Sequence, residues 1–543
     1  MIEVLARSLF VAAAVLLLAD ARTIAAQQQP ASASYQELLA LFEQWRAFQQ
    51  PKRAGGVPDY TAASMAAQHE ALPDWQRRLA AIDTAGWSRA QKVDWHLVRA
   101  EMNGLDFDHR VLRPWANNPA FYVTVFAGRS DQPAREGPHA YGNLELWSYT
   151  FPLSDEDAAA VRALLQPIPG LLRQAQTNLV GNGRDLWRMG IGGVREQSEA
   201  LASLAERAAD RADVVADANR AREATDAFVA WLEREAPSKD GPSGVGIENY
   251  DWHLQHVQLV PYTWEDEVIL MRRELDRARA ALALEEHRNR DLPPLEPIAD
   301  SAEWRRRFDA AVTEYMAFLR GGVITVRDWM EPALRARRGR FSGGPREFFT
   351  EVNHRDPIIM RAHDFHWIDL AEMEHEPHAS PIRRGPLLYN IFITRTEGLA
   401  TAMEEMMMHA GFVDEHPRSR ELIWILVAQR AARALGDLMM HANRWTLEEA
   451  AEFTSANTPR DWLRLDGRTV RGEQHLYLQQ PSYGTSYLIG KAQIERLLSE
   501  VAEQQGEAFT LQGFFDEFLA AGMIPMSLVH YQLLGTMPGR TPQ

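Results

Sequence analysis

From Tyr35 almost to the C-terminus, apolar residues recur at intervals of three and four and hardly ever alternate. That pattern rules out most architectures. A helix turns about 100° per residue, so such spacing lines up one apolar face, whereas a half-buried strand needs period two. Leu38, Leu39, Leu41, Phe42, Trp45 and Phe48 set the pattern. It continues over Leu72–Ile82, Trp87–Phe107, Asp155–Leu165, Ile168–Val180, Val194–Arg207, Val214–Glu235, Trp264–Leu284 and Ser301–Leu319. In the C-terminal part it predicts helices over His363–Met373, Leu388–Gly411, Arg418–Ala442, Thr446–Phe453, Thr485–Gln504 and Leu511–Ala521. Ser154-Asp155-Glu156-Asp157 marks a helix start, placing acceptors and negative charge at free backbone N–H groups. Asn117–Pro138 mixes Gly, Pro and aromatics and reads as a short strand or an ordered loop. Ala236–Asn249 reads as a Gly/Pro-rich connector. The expected fold is mainly α: one large helical domain over residues 35–535, two helical lobes around a central cleft, few or no strands, and a short tail at 536–543.

With 543 residues there is ample material for a buried core. The formal charge of −16 argues against a nucleic-acid partner, which would call for a basic stripe. Arg305–Arg307 and Arg335–Arg340 read instead as solvated helix faces and ends. No cysteine is present, so thiol nucleophiles and sulfur ligands are excluded and any metal must be held by His, Asp and Glu. At the N-terminus, Arg7 precedes an apolar run from Leu9 to Ala19, and small residues end at Ala21 and Ala26. This reads as a signal peptide over residues 1–26 and a disordered tether over 27–34, hence an exported, periplasmic or secreted protein without stable membrane insertion; an uncleaved anchor is the alternative. No later run has the length and apolarity of a span.

Chemistry concentrates in Arg361–Gly411, which holds five of the seventeen histidines interleaved with acids. At helical spacing, His363, His366 and Asp369 fan across about a third of a helix circumference, and so do His366, Asp369 and Glu372. Either trio can aim donors at one cation. Glu397 and Glu404 are seven apart on the following helix and share a face, so Glu397 can complete the set while Glu404 orients a histidine from behind. The alternative is a buried polar network with Arg383, Arg384 and Arg395. His375 and His378 flank Glu376-Pro377 in a turn that ends the helix, and read as exposed. Met403 and Met406–Met408 read as a core stripe. There is no G-x-S-x-G elbow and no phosphate-binding loop.

Several segments carry a family resemblance: Glu397-Gly398-Leu399-Ala400, His441-Ala442-Asn443-Arg444-Trp445-Thr446, Glu473 to Tyr477, Pro481-Ser482-Tyr483-Gly484, Tyr487 to Gly490, Phe514-Phe515-Asp516 and Gly522 to Pro525. In order and spacing over about 160 residues, they resemble bacterial domain-of-unknown-function family 885, mostly helical proteins related in pattern to gluzincin-type zinc metallopeptidases. Looser likeness runs through Gly246 to Tyr250 and the helices from Tyr35. The resemblance implies a cleft lined by Glu248, Tyr250, Tyr477, Tyr487 and His441, the last two as oxyanion donors.

The family's His-Glu-x-x-Pro-Gly-His segment is missing. One register puts His363-Asp364 on its first pair and Asp369 on its last His, leaving Asp364 as a shorter general base. The other starts at His366, ends at Glu372 and has no base. Leu399, Leu476 and Phe515 stand where the family has Trp, Arg and His. Two expectations follow. One is a divergent exported metallohydrolase of peptidase type that acts on amide or related carbonyl substrates. Its single divalent cation, zinc first, would be held by His363 and/or His366, Asp369 or Glu372, and Glu397. The other is a catalytically inactive member without metal that keeps the cleft for a peptide or small ligand.

Overall fold

The structure, a computed structural model, describes residues 33–539. The signal peptide, most of the tether and the last four residues of the tail lie outside the described residues, while Ala33 and Ser34 already belong to the helix Ala33–Phe48. The chain is mainly α-helical, with two small two-stranded sheets among the described residues. Arg53–Ala54 pairs antiparallel with Val57–Pro58. Val125–Phe126 pairs parallel with Leu144–Glu145, closing the base of a long loop over 127–143.

Two large apolar cores correspond to two lobes, and a third, small cluster includes Ile393, Tyr477, Tyr483 and Tyr487. A smaller core draws on residues between Tyr60 and Ala236, centred on the helices Arg184–Arg207 and Ala212–Glu235, which pack on each other. The main core takes in the N-terminal helices and nearly everything from Tyr250 onward. At its centre, Ile393–His409 packs on Tyr483–Gln505, and Trp264–Arg288 packs on Ser419–His441. Every residue of Ser419–His441 except Arg420 is buried. A helix covered on all sides must be apolar or carry paired charges, and this one carries Arg430, Arg433 and Asp437 inward.

Ile393–His409 and Tyr483–Gln505 touch backbone to backbone. A Cβ on Gly398 would lie 2.5 Å from Gly490 Cα, and one on Gly490 would lie 1.9 Å from the Thr394 carbonyl oxygen. Only glycine permits that approach, which accounts for both glycines in the motifs and sets Glu397 beside Tyr483.

The predicted helices hold in the main, but Leu388–Asn390 is a separate turn with Tyr389 at φ 58°, ahead of the helix Ile393–His409, and a second break bears on chemistry. The segment expected as one helix over His363–Met373 is two, Pro357–His363 and Phe365–His375. Asp356 caps the first through Ile358 N and Pro357 occupies its first turn. Asp364, with ψ near 6°, leaves the helical range between them. The short helix Ile247–His253 sits where a loop exit was expected. The helix Arg468–Gln479 escapes the apolar spacing because only Val470, Gln474, Tyr477 and Leu478 of it are buried. No described helix is long and apolar enough to cross a membrane.

Candidate metal centre

The break at Asp364 leaves His363 at the end of one helix and His366 in the first turn of the next, with their rings edge to face at 5.1 Å. Glu397, from the first half of Ile393–His409, faces both. One donor atom each from His363, His366 and Glu397 lies within 4.8 Å of the others. His366 and Glu397 are buried, while 14 % of the His363 side chain remains exposed, so His363 marks the open side.

Each member is held from behind. His363 Nδ1 lies 3.0 Å from Glu404 Oε1 and 3.2 Å from Arg430 Nη2, so an acid and a donor both meet the ring at that nitrogen. Glu404 is bound bidentately by Arg430 at 2.5 and 2.8 Å, a buried pair. Glu397 Oε1 accepts from Tyr483 Oη at 2.7 Å and from Gln132 Nε2 at 3.1 Å, and Oε2 lies 3.1 Å from His366 Nε2. Burial by itself would disfavour charge on both partners. The mutual attraction of His366 and Glu397 and their hydrogen bond outweigh it, lifting His366 to about 9 and holding Glu397 down to about 2. Burial opposes ionisation of Glu404 too, and Arg430 and His363 overcome it.

The walls are buried ion pairs: Arg361 with Asp364 at 2.7 Å, Arg395 with Asp369, Arg430 with Glu404, and Arg433 with Glu473. The loop 127–143 closes over them. Gln132 hydrogen-bonds to Glu397 and to Thr396 Oγ1 (2.6 Å). Asp131 is within electrostatic reach of His366, Asp364, Tyr483 and Tyr487. Glu136, which accepts from Ser130 Oγ at 2.8 Å, has its pKa pushed up by burial and then by Asp131.

Of the residues singled out by spacing and resemblance, His363, His366, Glu397 and Glu404 come together. Asp369 does not join them: it is turned to Arg395. Glu372, pushed up to about 7 by burial and then by Asp369, lines a separate cavity with Glu376 and Asp516. Asp364 neighbours His363 but spends its carboxylate on Arg361, and burial raises its pKa. Tyr487 lies in the same region, its ring 4.0 Å from the Arg433 guanidinium and within reach of the Glu397 charge. Tyr477 stacks on Tyr483 at 5.8 Å. His441 stands apart, with Nε2 on the Tyr477 carbonyl oxygen at 3.0 Å and Nδ1 facing Val245 N at 3.4 Å. Tyr250 is buried on Glu267 at 3.3 Å, and Glu248 is exposed.

Sequence reasoning missed Tyr483, Gln132, Arg430 and Arg433. Tyr483 stood inside a quoted motif and could have been found. Gln132 sits in a loop 265 positions from its partner, with nothing local to announce it.

The donor set, two imidazoles and a carboxylate with an acid behind one imidazole, fits a divalent cation of zinc's kind. A family model described as "Bacterial protein of unknown function (DUF885)" matches residues 47–366 and 366–533, the two stretches meeting at His366 itself. No curated protein matches the chain. Two solved structures share the fold. One, described as "a putative lipoprotein of unknown function from Shewanella oneidensis", has a TM-score of 0.68 at 15% identity over 93% of this chain and 100% of that one. The other, "the putative lipoprotein from Colwellia psychrerythraea", has a TM-score of 0.63 at 16% identity over 92% of this chain and 99% of that one. The chain therefore belongs to the bacterial protein family of unknown function DUF885.

Proposed function

We propose that this protein is an exported, divergent metallohydrolase of peptidase type that acts on amide or related carbonyl substrates, with His363, His366 and Glu397 holding one divalent cation. The observation that carries the reading is the convergence of their donor atoms within 4.8 Å. A bound zinc would polarise a carbonyl and lower the pKa of a water. The chain's own part is orientation and proton handling. Glu404 and Arg430 brace the His363 ring at Nδ1, and Tyr483 and Gln132 hold Glu397 ionised and in place. Tyr487 is the donor near the centre whose hydroxyl is suited to a developing oxyanion. Asp364 is tied to Arg361, so Glu136 on the covering loop, pushed up to about 7 chiefly by burial and within reach of the Glu397 charge, is the better placed group to hold or move a proton. The N-terminal apolar run and the lipoprotein descriptions of the structural neighbours support export.

A second reading, a catalytically inactive member that keeps its cleft for a peptide or small ligand, is favoured by two contacts. Asp364, the residue in the place of a general base, is neutralised by Arg361, and His366 and Glu397 satisfy each other at 3.1 Å. Metal analysis of the purified full chain separates the two. The hydrolase reading expects stoichiometric zinc that disappears in the His366→Ala, Glu397→Ala double variant. Protein that is metal-free and takes up none when zinc is added overturns it.

A further inference from the structure

A cavity of about 710 Å³ opens between the two lobes, on the far side of the loop that covers the metal centre. Gly137, Pro138 and His139 of that loop line it, opposite Tyr60, Trp115 and Phe121 of the smaller core. Its construction is unusual in three ways.

First, two π-helical turns border it. Asp108–Leu112 ends in Arg113 at φ 43°, and Leu254–Gln258 ends in Leu259 at φ 54°. Asp108 and Leu112 from one turn and Val257 from the other are on its wall. Second, its floor includes Tyr389 and Asn390, consecutive non-glycine residues in the left-handed region at φ 58° and 47°. The Tyr389 ring presses on Gly104, where a Cβ would lie 2.4 Å from Tyr389 Cγ. Wide helical turns and held left-handed residues cost stability and cluster where a ligand is bound.

Third, the cavity holds a carboxylate without a partner. Asp108 makes no side-chain hydrogen bond or ion pair among the described residues, and burial alone raises its pKa. Its charge is felt by Tyr60 and Tyr389. Of the cations nearby, Arg135 is bound bidentately by Glu145 at 2.9 and 2.7 Å, and Arg53 is exposed at the mouth on the Gly56 carbonyl oxygen. Just behind the wall lie acceptors without a partner among the described residues. His139 donates from Nε2 to the Glu136 carbonyl oxygen at 2.7 Å, which leaves Nδ1 an unpaired acceptor, and Asn143 Oδ1 is unpaired too. Against them stand one unpaired amide donor, Gln480 Nε2, and His253 Nδ1, whose role depends on its tautomer. One uncompensated negative charge among aromatic side chains is complementary to a cation attached to an apolar body.

We propose that this cavity binds an organic ammonium ion, with Asp108 as its counter-ion and the rings of Tyr60 and Tyr389 beside it. The free amino group of a peptide or of a small aromatic amine has that chemistry. The assignment stands independently of the metal centre and goes beyond the hydrolase reading, since it needs no cation at His363, His366 and Glu397.

Titration calorimetry on the full chain tests it, with phenylalaninamide as the probe and its N-acetyl derivative as the neutral match. The amine is expected to bind and the acetylated compound to bind at least about tenfold more weakly, as expected for loss of a charge-assisted hydrogen bond. Asp108→Asn should weaken the amine about tenfold or more, while Asp108→Glu, which keeps the charge, should retain most of the affinity. Both variants are checked for an unchanged circular dichroism spectrum. Binding in excess EDTA and binding by the His366→Ala, Glu397→Ala variant should equal that of untreated wild type. Equal affinity for the two probes, no binding of the amine, or indifference to Asp108→Asn overturns the proposal. Binding lost in EDTA places the amine on the metal instead and also overturns it. A protein that takes up no zinc yet binds the amine through Asp108 removes the hydrolase reading and leaves this one standing.

Discussion

The candidate metal centre and the inter-lobe cavity are walled by the same loop, yet they treat charge drawn away from water in opposite ways. Around His363, His366 and Glu397 each buried arginine faces a carboxylate of its own. In the cavity a single carboxylate, Asp108, has none. Removing a charge from water costs several kcal/mol, and a partner in good geometry offsets much of it. The first region has met that cost internally and is locked. The second leaves it standing, to be offset by something that enters.

Three measurements can break or sharpen the contrast. The largest effect is expected from Arg430→Ala, which strands Glu404 beside His363. Equilibrium unfolding should show a loss of about 3–5 kcal/mol, the usual cost of an orphaned buried charge. A loss below about 1 kcal/mol would mean that water already reaches the pair and that the centre is not locked.

Asp108→Asn should act with the opposite sign. The carboxyl of Asp108 goes from an ordinary 3.8 to about 7 in the folded chain. A raised folded value means stability that is fully present below about 4 and lost as pH rises through about 7. The variant lacks that loss. It should be more stable than wild type at pH 8 by about 2 kcal/mol, roughly half of what the full shift implies, because the amide is also buried without a partner. The difference should shrink toward zero near pH 4. A destabilised variant at pH 8 would show that Asp108 has a structural partner after all.

The smallest effect belongs to a half-exposed group of three outside both regions. His416 lies 3.2 Å from Asp356 and 3.0 Å from Glu314, and the Asp356 hydrogen bond leads in raising its pKa to about 9. Its contribution is fully present below pH 6.5 and lost as pH rises through about 9. His416→Gln should cost under about 1 kcal/mol at pH 6 after solvent screening, and nothing at pH 10, as followed by Tm. A cost that persists at pH 10 would assign the effect to packing.

How much of this was legible in the sequence depends on how local each feature is. Helix periods are local, and the mainly α fold, the lobes and the face shared by Glu397 and Glu404 follow from them. The helix break at Asp364 is nearly local but carries no proline or glycine to mark it. It separates His363 from His366 and turns Asp369 toward Arg395 rather than toward the histidines. Gln132 and Arg430 reach their partners across 265 and 26 positions, distances that only the folded chain closes. Asp108 was invisible for another reason. In sequence it is one more acid at the end of an amphipathic helix, and only the wide turn that follows and the cavity beside it make it unlike the others.

The burial of Ser419–His441 on all sides has a consequence for how the molecule opens. No surface layer can peel away and expose that helix alone, because its partners, Trp264–Arg288 and Tyr483–Gln505, are themselves fastened to the rest of the core. Its amide hydrogens should exchange with deuterium only when the whole chain unfolds, at the slowest rate in the protein. Exchange in the loop 127–143, which has few backbone ladder bonds, should run far ahead of it. The histidines and acids of the candidate metal centre sit where the slowest and the fastest of these clocks meet.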